Sequence, residues 1–311
     1  MLLISSIPNS VFRRQTDRED KTIDIRAHAI NSWRKAGFNK IISVNTEKEI
    51  RNNDDLKQFF YDHQIEVLIG SSAGKGLPEY LPSLASVIKA VSRHSDQKEV
   101  AIVNADIILA DGLNLKPQEE THGKNHFIAG HRLDIKSLES SQETQPHRGK
   151  PYKKGIDLFI AKRSHLLDAS KLLPDVLALG LPWWDLALWL SLEMSNGKSL
   201  QAPAKSVLHI KHAARKYDIE LWSKIGEQTV KSMILSAKSS PSECAREWLI
   251  KSEQIMAGSR SQANTISLLK RITRLLAAIK SSNNKKLQEL LEFATLAEYL
   301  LYKHSDQLKT Q

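Results

Sequence analysis

The chain has 311 residues, 41% of them hydrophobic and 26% charged, a balance that excludes a disordered protein and allows a sizeable core. A single cysteine, Cys244, excludes an intramolecular disulfide and any thiolate metal cluster, and it points to the cytoplasm. The net charge of +10 is spread, with 31 basic against 26 acidic residues up to Asp218 and 14 against 9 beyond it; without a dense basic face it argues against nucleic acid and suits anionic small molecules or an anionic membrane surface.

At this length one large domain with a smaller appendage is expected. Met1 to Ile7 is apolar but lacks a basic start and meets Pro8 at once, so it reads as a first buried strand, not a signal peptide. No apolar run approaches the roughly 18 residues that span a membrane. Thr22 to Ala36 predicts a helix with Ile25, Ala29, Ile30 and Trp33 on one face, a capping box at Thr16 and Glu19 just upstream, and a stop at Gly37.

Lys40 to Asn45 predicts a strand, Glu47 to His63 a helix, Glu66 to Gly70 a strand, Pro78 to His94 a helix and Val100 to Leu109 the longest apolar strand. Strands separated by helices imply parallel pairing, hence a mostly parallel, Rossmann-like α/β sheet flanked by helices. Ligands of such sheets bind at the carboxyl ends of the strands.

After Asp111 the rhythm changes. Phe127 to Ile135 and Ile156 to Ile160 read as strands around a long polar loop, Lys136 to Lys154. A helix at Ser164 to Leu173, another at Leu186 to Met194 and a last strand at Val207 to Ile210 follow. Beyond Tyr217 only helices are expected, among them Thr265 to Lys280 and Leu287 to Tyr302, joined by a turn at Ser281 to Asn284. The division is a domain at 1–217 and a helical region at 218–311.

Val103-Asn104-Ala105-Asp106-Ile107 places two polar side chains two residues apart on an otherwise apolar strand, where a carboxylate can hold a divalent cation against a diphosphate or simply cap the strand. Gly155-Ile156-Asp157 puts a carboxylate among apolar neighbours, so it faces a cleft or a backbone turn. Pro182-Trp183-Trp184-Asp185 opens an apolar helix; Asp185 suits plain N-capping, yet an aromatic floor beside a carboxylate is also how sugars are gripped. His131, Arg132, Lys211 and Arg215 are candidates for phosphate contact.

This ordered set, an Asn-x-Asp strand, a Gly-x-Asp strand and a Trp-Asp helix start, resembles the GT-A-fold nucleotide-sugar glycosyltransferases over about residues 1 to 215. In that family the metal motif is Asp-x-Asp; here its first member is Asn104. The resemblance implies that Asp106 ligates manganese or magnesium with Asn104 assisting, and that Asp185 is the general base of an inverting transfer. It also implies His209 or His212 as a further metal ligand, with Asp157, Arg132, Trp183, Trp184 and Lys211 touching the donor. Implied partners are a nucleotide-sugar donor and a glycan or lipid-linked acceptor, as in polysaccharide biosynthesis. The helical tail could pack on the catalytic domain, form a homo-oligomer, or rest peripherally on the inner face of a membrane.

Two rival readings remain. A sugar nucleotidyltransferase shares the sheet logic but calls for a Gly-rich basic loop after the first strand, where this chain has Ser5-Ser6-Ile7-Pro8-Asn9. A non-catalytic protein of the same fold is kept open by Asn104. Ser71 to Gly76 is no P-loop, because Gly74-Lys75-Gly76 stands alone.

Overall fold

Apolar alternation at the very start of the chain sets the centre of the sheet. In the computed structural model, which describes residues 1–9, 12–16, 19–74, 77–94, 96, 98–110, 125–135, 150–203, 205–210, 219–257, 285–304 and 306–307, the first half runs β1 (Leu2–Ser5), β2 (Phe12–Thr16), β3 (Glu19–Asp24), α1 (Arg26–Lys35), β4 (Lys40–Thr46), α2 (Glu47–Arg51), α3 (Asp54–Asp62), β5 (Glu66–Gly70), α4 (Leu84–Ala90), β6 (Glu99–Val103) and β7 (Ile107–Leu109). The second half runs β8 (Asn125–Ile135), β9 (Lys150–Lys162), α5 (Arg163–Ser170), α6 (Trp184–Met194), β10 (Gly197–Gln201), β11 (Val207–Ile210), α7 (Ile219–Ser239), α8 (Glu243–Met256), α9 (Lys285–His304) and β12 (Asp306–Gln307).

The sheet order is β12-β10-β8-β9-β6-β1-β4-β5, with β11 and β7 paired beside β8. β1 is parallel to β4 and β6, and β4 to β5, as the alternation of strands and helices predicts. β9 runs antiparallel between β6 and β8, while β10 and β11 are parallel to β8. The sheet is thus mostly parallel, flanked by helices and followed by C-terminal helices, the expected fold class.

Side-chain alternation divides the interior in two. Leu3, Ala101 and Ile160 pack with Ala29, Ile30 and Trp33 of α1 and with Leu56 and Phe60 of α3. Leu2, Ile4, Ile102 and Phe159 face the other way, onto α4, α5 and α6. α6 is buried at nearly every position, so it must be covered on both sides. The second cover is the tail: Trp222, Ile225 and Met233 of α7, Trp248 of α8, and Phe293 and Leu296 of α9 join the same cluster. The described tail helices therefore share a core with α6.

Several expectations shift. Thr16 and Glu19 pair across the β2–β3 hairpin instead of forming a capping box, and the first helix begins at Arg26. The helix expected over Glu47 to His63 splits where Asn53 caps α3 through Leu56 N–H. The one expected over Pro78 to His94 starts only at Leu84, capped by Ser83. β10 was not foreseen. The loop expected over Lys136 to Lys154 is cut short, because its last five residues open β9; residues 136–149, the helix at 265–280 and the turn at 281–284 lie outside the described residues.

Candidate active site

The apolar strand expected over Val100 to Leu109 breaks where its two polar residues stand. Asn104 N–H donates to the Asp157 carbonyl (3.1 Å), and Ile107 N–H returns to the Asn104 carbonyl (3.2 Å), which closes a turn over Asn104, Ala105 and Asp106. β7 then leaves the line of β6 and pairs antiparallel with β11, Ile107 opposite His209. Asn104 and Asp106 consequently project from a turn at the carboxyl end of β6. Because β9 runs antiparallel beside it, Asp157 arrives at the same end.

The side chains around this turn join into a ring. Asn104 Nδ2 donates to Asp157 Oδ1 (2.6 Å), and Asp157 Oδ2 lies 3.5 Å from Arg132 Nη1. Arg132 Nε donates to Asp134 Oδ1 (3.2 Å), which also accepts from His209 Nδ1 (2.9 Å). His209 Nε2 stands 3.3 Å from Asp106 Oδ2, one residue beyond Ala105 and back on the starting turn. The strands dictate this: Arg132 and Asp134 share one face of β8, and the β8–β11 register sets Asp134 beside His209.

Burial governs the charges. Asp157, only 5% exposed, has its carboxyl pushed up to about 6 by desolvation; Arg132 opposes the shift, and the Asp106 and Asp185 carboxylates add to it. For His209 burial works against the charged form, but hydrogen bonds to Asp106 and Asp134 prevail and raise its pKa. Burial likewise works against ionised Asp134, and the His209 hydrogen bond with the Arg132 charge prevails, so its pKa falls.

Asp185, in the first turn of α6, joins the group from the other side: its Oδ2 accepts Ile156 N–H (3.0 Å), next to Asp157. His131 Nδ1 donates to the Gly155 carbonyl (2.9 Å), and burial lowers its pKa, against the pull of that carbonyl and of Asp185, so the ring is neutral at pH 7. Asp106, Asp157 and Asp185 are thus gathered at one end of the sheet, where each of the outer two acts on the middle one.

The two tryptophans do not form the expected sugar surface. Trp183 is 5% exposed, donates its indole N–H to the Trp222 carbonyl (3.1 Å) and packs against the Trp222 ring, centroids 5.0 Å apart and planes tilted by 43°. Trp184 is equally buried, edge-on to Phe159 at 5.8 Å. What they do instead is fix the start of α6. Trp183 sits in the left-handed region at φ 74, costly for a bulky residue, and the packing of its ring offsets that strain. Lys211, His212 and Arg215 lie outside the described residues.

Comparison with known proteins adds distant likenesses of fold. No family model matches the chain, and neither does any curated protein. Among solved structures, the inositol-1-phosphate CTP transferase from T. maritima shares 11% identity at a TM-score of 0.38, over 73% of this chain and 96% of that one. The 4-diphosphocytidyl-2C-methyl-D-erythritol synthase from Anaerococcus prevotii shares 11% at 0.38, over 72% and 94%. The bifunctional IspDF from Campylobacter jejuni shares 14% at 0.36, over 65% of this chain and about half (49%) of its own length. At these scores the chemistry has to be read from the site itself.

Among the described residues no group of three or more His, Cys, Asp or Glu is arranged around a cation. Asp106 Oδ2 and His209 Nε2 stand 3.3 Å apart as a hydrogen-bonded pair, a separation near the roughly 3 Å between neighbouring ligands of an octahedral ion with bonds of about 2.1 Å, so these two are the atoms that could hold a cation. Sequence reasoning missed Asp134; its signal was two opposite charges, Arg132 and Asp134, spaced for one face of a strand.

Proposed function

We propose that the chain is a glycosyltransferase that moves a sugar from a nucleoside diphosphate donor to an acceptor hydroxyl. The observation that carries this is the gathering of Asp106, Asp157 and Asp185 with Arg132 and His209 at the carboxyl ends of the strands, where sheets of this kind bind nucleotides. Asp106 and His209 would hold a manganese or magnesium ion, whose charge would neutralise the donor diphosphate. Asn104, with its amide directed to Asp157, keeps the turn in place; Asp157 and Arg132 form the wall behind it.

Asp185 is the general base of this reading. Its carboxylate is oriented by Ile156 N–H, and removal of the acceptor proton there leads to displacement with inversion. Calorimetry with UDP, GDP and CMP, with and without manganese, on the natural chain and on Asp185→Asn is the test. At least one nucleotide is expected to bind both proteins, while the variant's turnover falls by 10²-fold or more, on the order of what a positioned base supplies. Binding of no nucleotide by the folded chain would sink the proposal; full turnover by the variant would remove Asp185 from its role.

A second reading, transfer of a nucleotidyl group onto a sugar phosphate, draws on one observation. The backbone after β1 is held rigidly: Ser43 Oγ accepts Ile7 N–H (2.9 Å), Asn45 Nδ2 donates to the Ile7 carbonyl (2.9 Å), and Arg26 Nη1 donates to the Pro8 carbonyl (3.1 Å). A fixed loop there suits a phosphate cradle, although it lacks the glycines that let a backbone wrap one. Release of pyrophosphate from a nucleoside triphosphate decides for this reading.

A further inference from the structure

We propose that Asp134 is a positioning residue for the cation site: by holding the His209 ring through Nδ1 it aims Nε2 at Asp106 and so makes the two ligands before any ion arrives. This rests on the reading of Asp106 and His209 as cation ligands given above. A carboxylate can only accept, so the 2.9 Å contact between Asp134 Oδ1 and His209 Nδ1 requires the proton on Nδ1. Nε2 faces Asp106 Oδ2 at 3.3 Å, and the proton held between them is the one a cation has to displace to take both atoms as ligands. A carboxylate behind a histidine is the usual outer support of a metal-bound imidazole, fixing both its tautomer and its orientation.

Asp134 is itself held in two ways. The β8–β11 ladder sets its backbone directly opposite that of His209, and Arg132 Nε donates to the same Oδ1 at 3.2 Å while its Nη1 reaches Asp157. Both Asp134 and the ring it supports are largely withdrawn from solvent, with side-chain exposures of 20% and 2%, so the contact is poorly screened by water. Loss of Asp134 would free the imidazole to rotate without touching either ligand atom.

The experiment uses the full chain without nucleotide. Manganese affinity is followed by electron paramagnetic resonance, and the tautomer of His209 by ring ¹⁵N chemical shifts, in the natural protein, in Asp134→Asn and in Asp134→Glu. Weakening of manganese binding by about 10- to 100-fold in Asp134→Asn, together with loss of the Nδ1–H signature and partial recovery of both in Asp134→Glu, is the expected result. If Asp134→Asn does not fold, the same comparison is made with Asp134→Glu, whose longer arm shifts the ring and is expected to weaken binding measurably. An unchanged tautomer and an affinity within about twofold of the natural protein overturn the proposal, as does a natural protein that binds no manganese. Manganese binding that depends on Asp134 in a protein that binds no nucleotide supports the positioning role and overturns the functional reading alone.

Discussion

Asp157 shows how one buried carboxyl can make folding depend on pH. Its pKa is raised in the folded state to about 6 from an ordinary 3.8, burial being the main cause, so the folded chain keeps a proton that the unfolded chain releases. Stability from this group is therefore highest in acid and declines as pH rises from about 4 to 6, the reverse of an ion-paired carboxylate. Asp157→Asn removes that decline while preserving an acceptor for Asn104 Nδ2. Thermal unfolding in chelator-containing buffers across this range should show a shallower fall in Tm for the variant; parallel curves would mean that folding leaves the Asp157 pKa where it stands in the unfolded chain. The site's residues were partly legible at this scale. Polar side chains in apolar strands singled out Asn104, Asp106 and Asp157, because burying a charge without a reason is expensive. Asp134 was passed over, since its value lies in a strand partner 75 residues away, a pairing that no local pattern reports.

Among the elements, α6 concentrates the constraints. Trp183, the residue just before it, is strained, its own first and sixth residues are tryptophans, and Gly226 of α7 lies so close that a Cβ there would sit 2.8 Å from the Trp183 indole. A fused ring cannot fold away as a long aliphatic chain would, so Gly226→Ala is expected to cost about 1–3 kcal/mol and to loosen Asp185 with the helix start. Chemical denaturation should register the loss, and a variant as stable as the parent would show that the two helices have room to part. Strands and helices with a clear period were recognisable: β1, β4, β5, β8 and β11 fall where alternation and apolar runs predict them. The misses have physical causes. The β2–β3 hairpin is charged and carries no apolar alternation, while β10 is a short polar strand that pairing with β8 recruits. The two tryptophans read as a sugar platform because exposure cannot be read from a residue's type; Trp222 covers Trp183, and Phe159 packs edge-on to Trp184.

At the scale of the molecule, the boundary at 217 marks a change in pattern without a break in the interior. Trp222, Trp248 and Phe293 come from beyond it, yet they complete the apolar surroundings of α6. A chain ending at Tyr217 is therefore expected to bare one side of α6 and to bind a hydrophobic dye or aggregate during purification; a soluble, monomeric fragment with native nucleotide binding would show that the tail is dispensable. Described helices in this structure are neither long nor apolar enough to cross a membrane. The shared interior also has a bearing on biosynthesis. Ribosomes deliver the amino terminus first, so β1 can find β4 and β6 early, but α6 has to wait about a hundred residues for Leu300 and its neighbours to emerge. For that interval a growing polypeptide displays its most oily segment to the surroundings, which makes the nascent chain a natural client for holding factors.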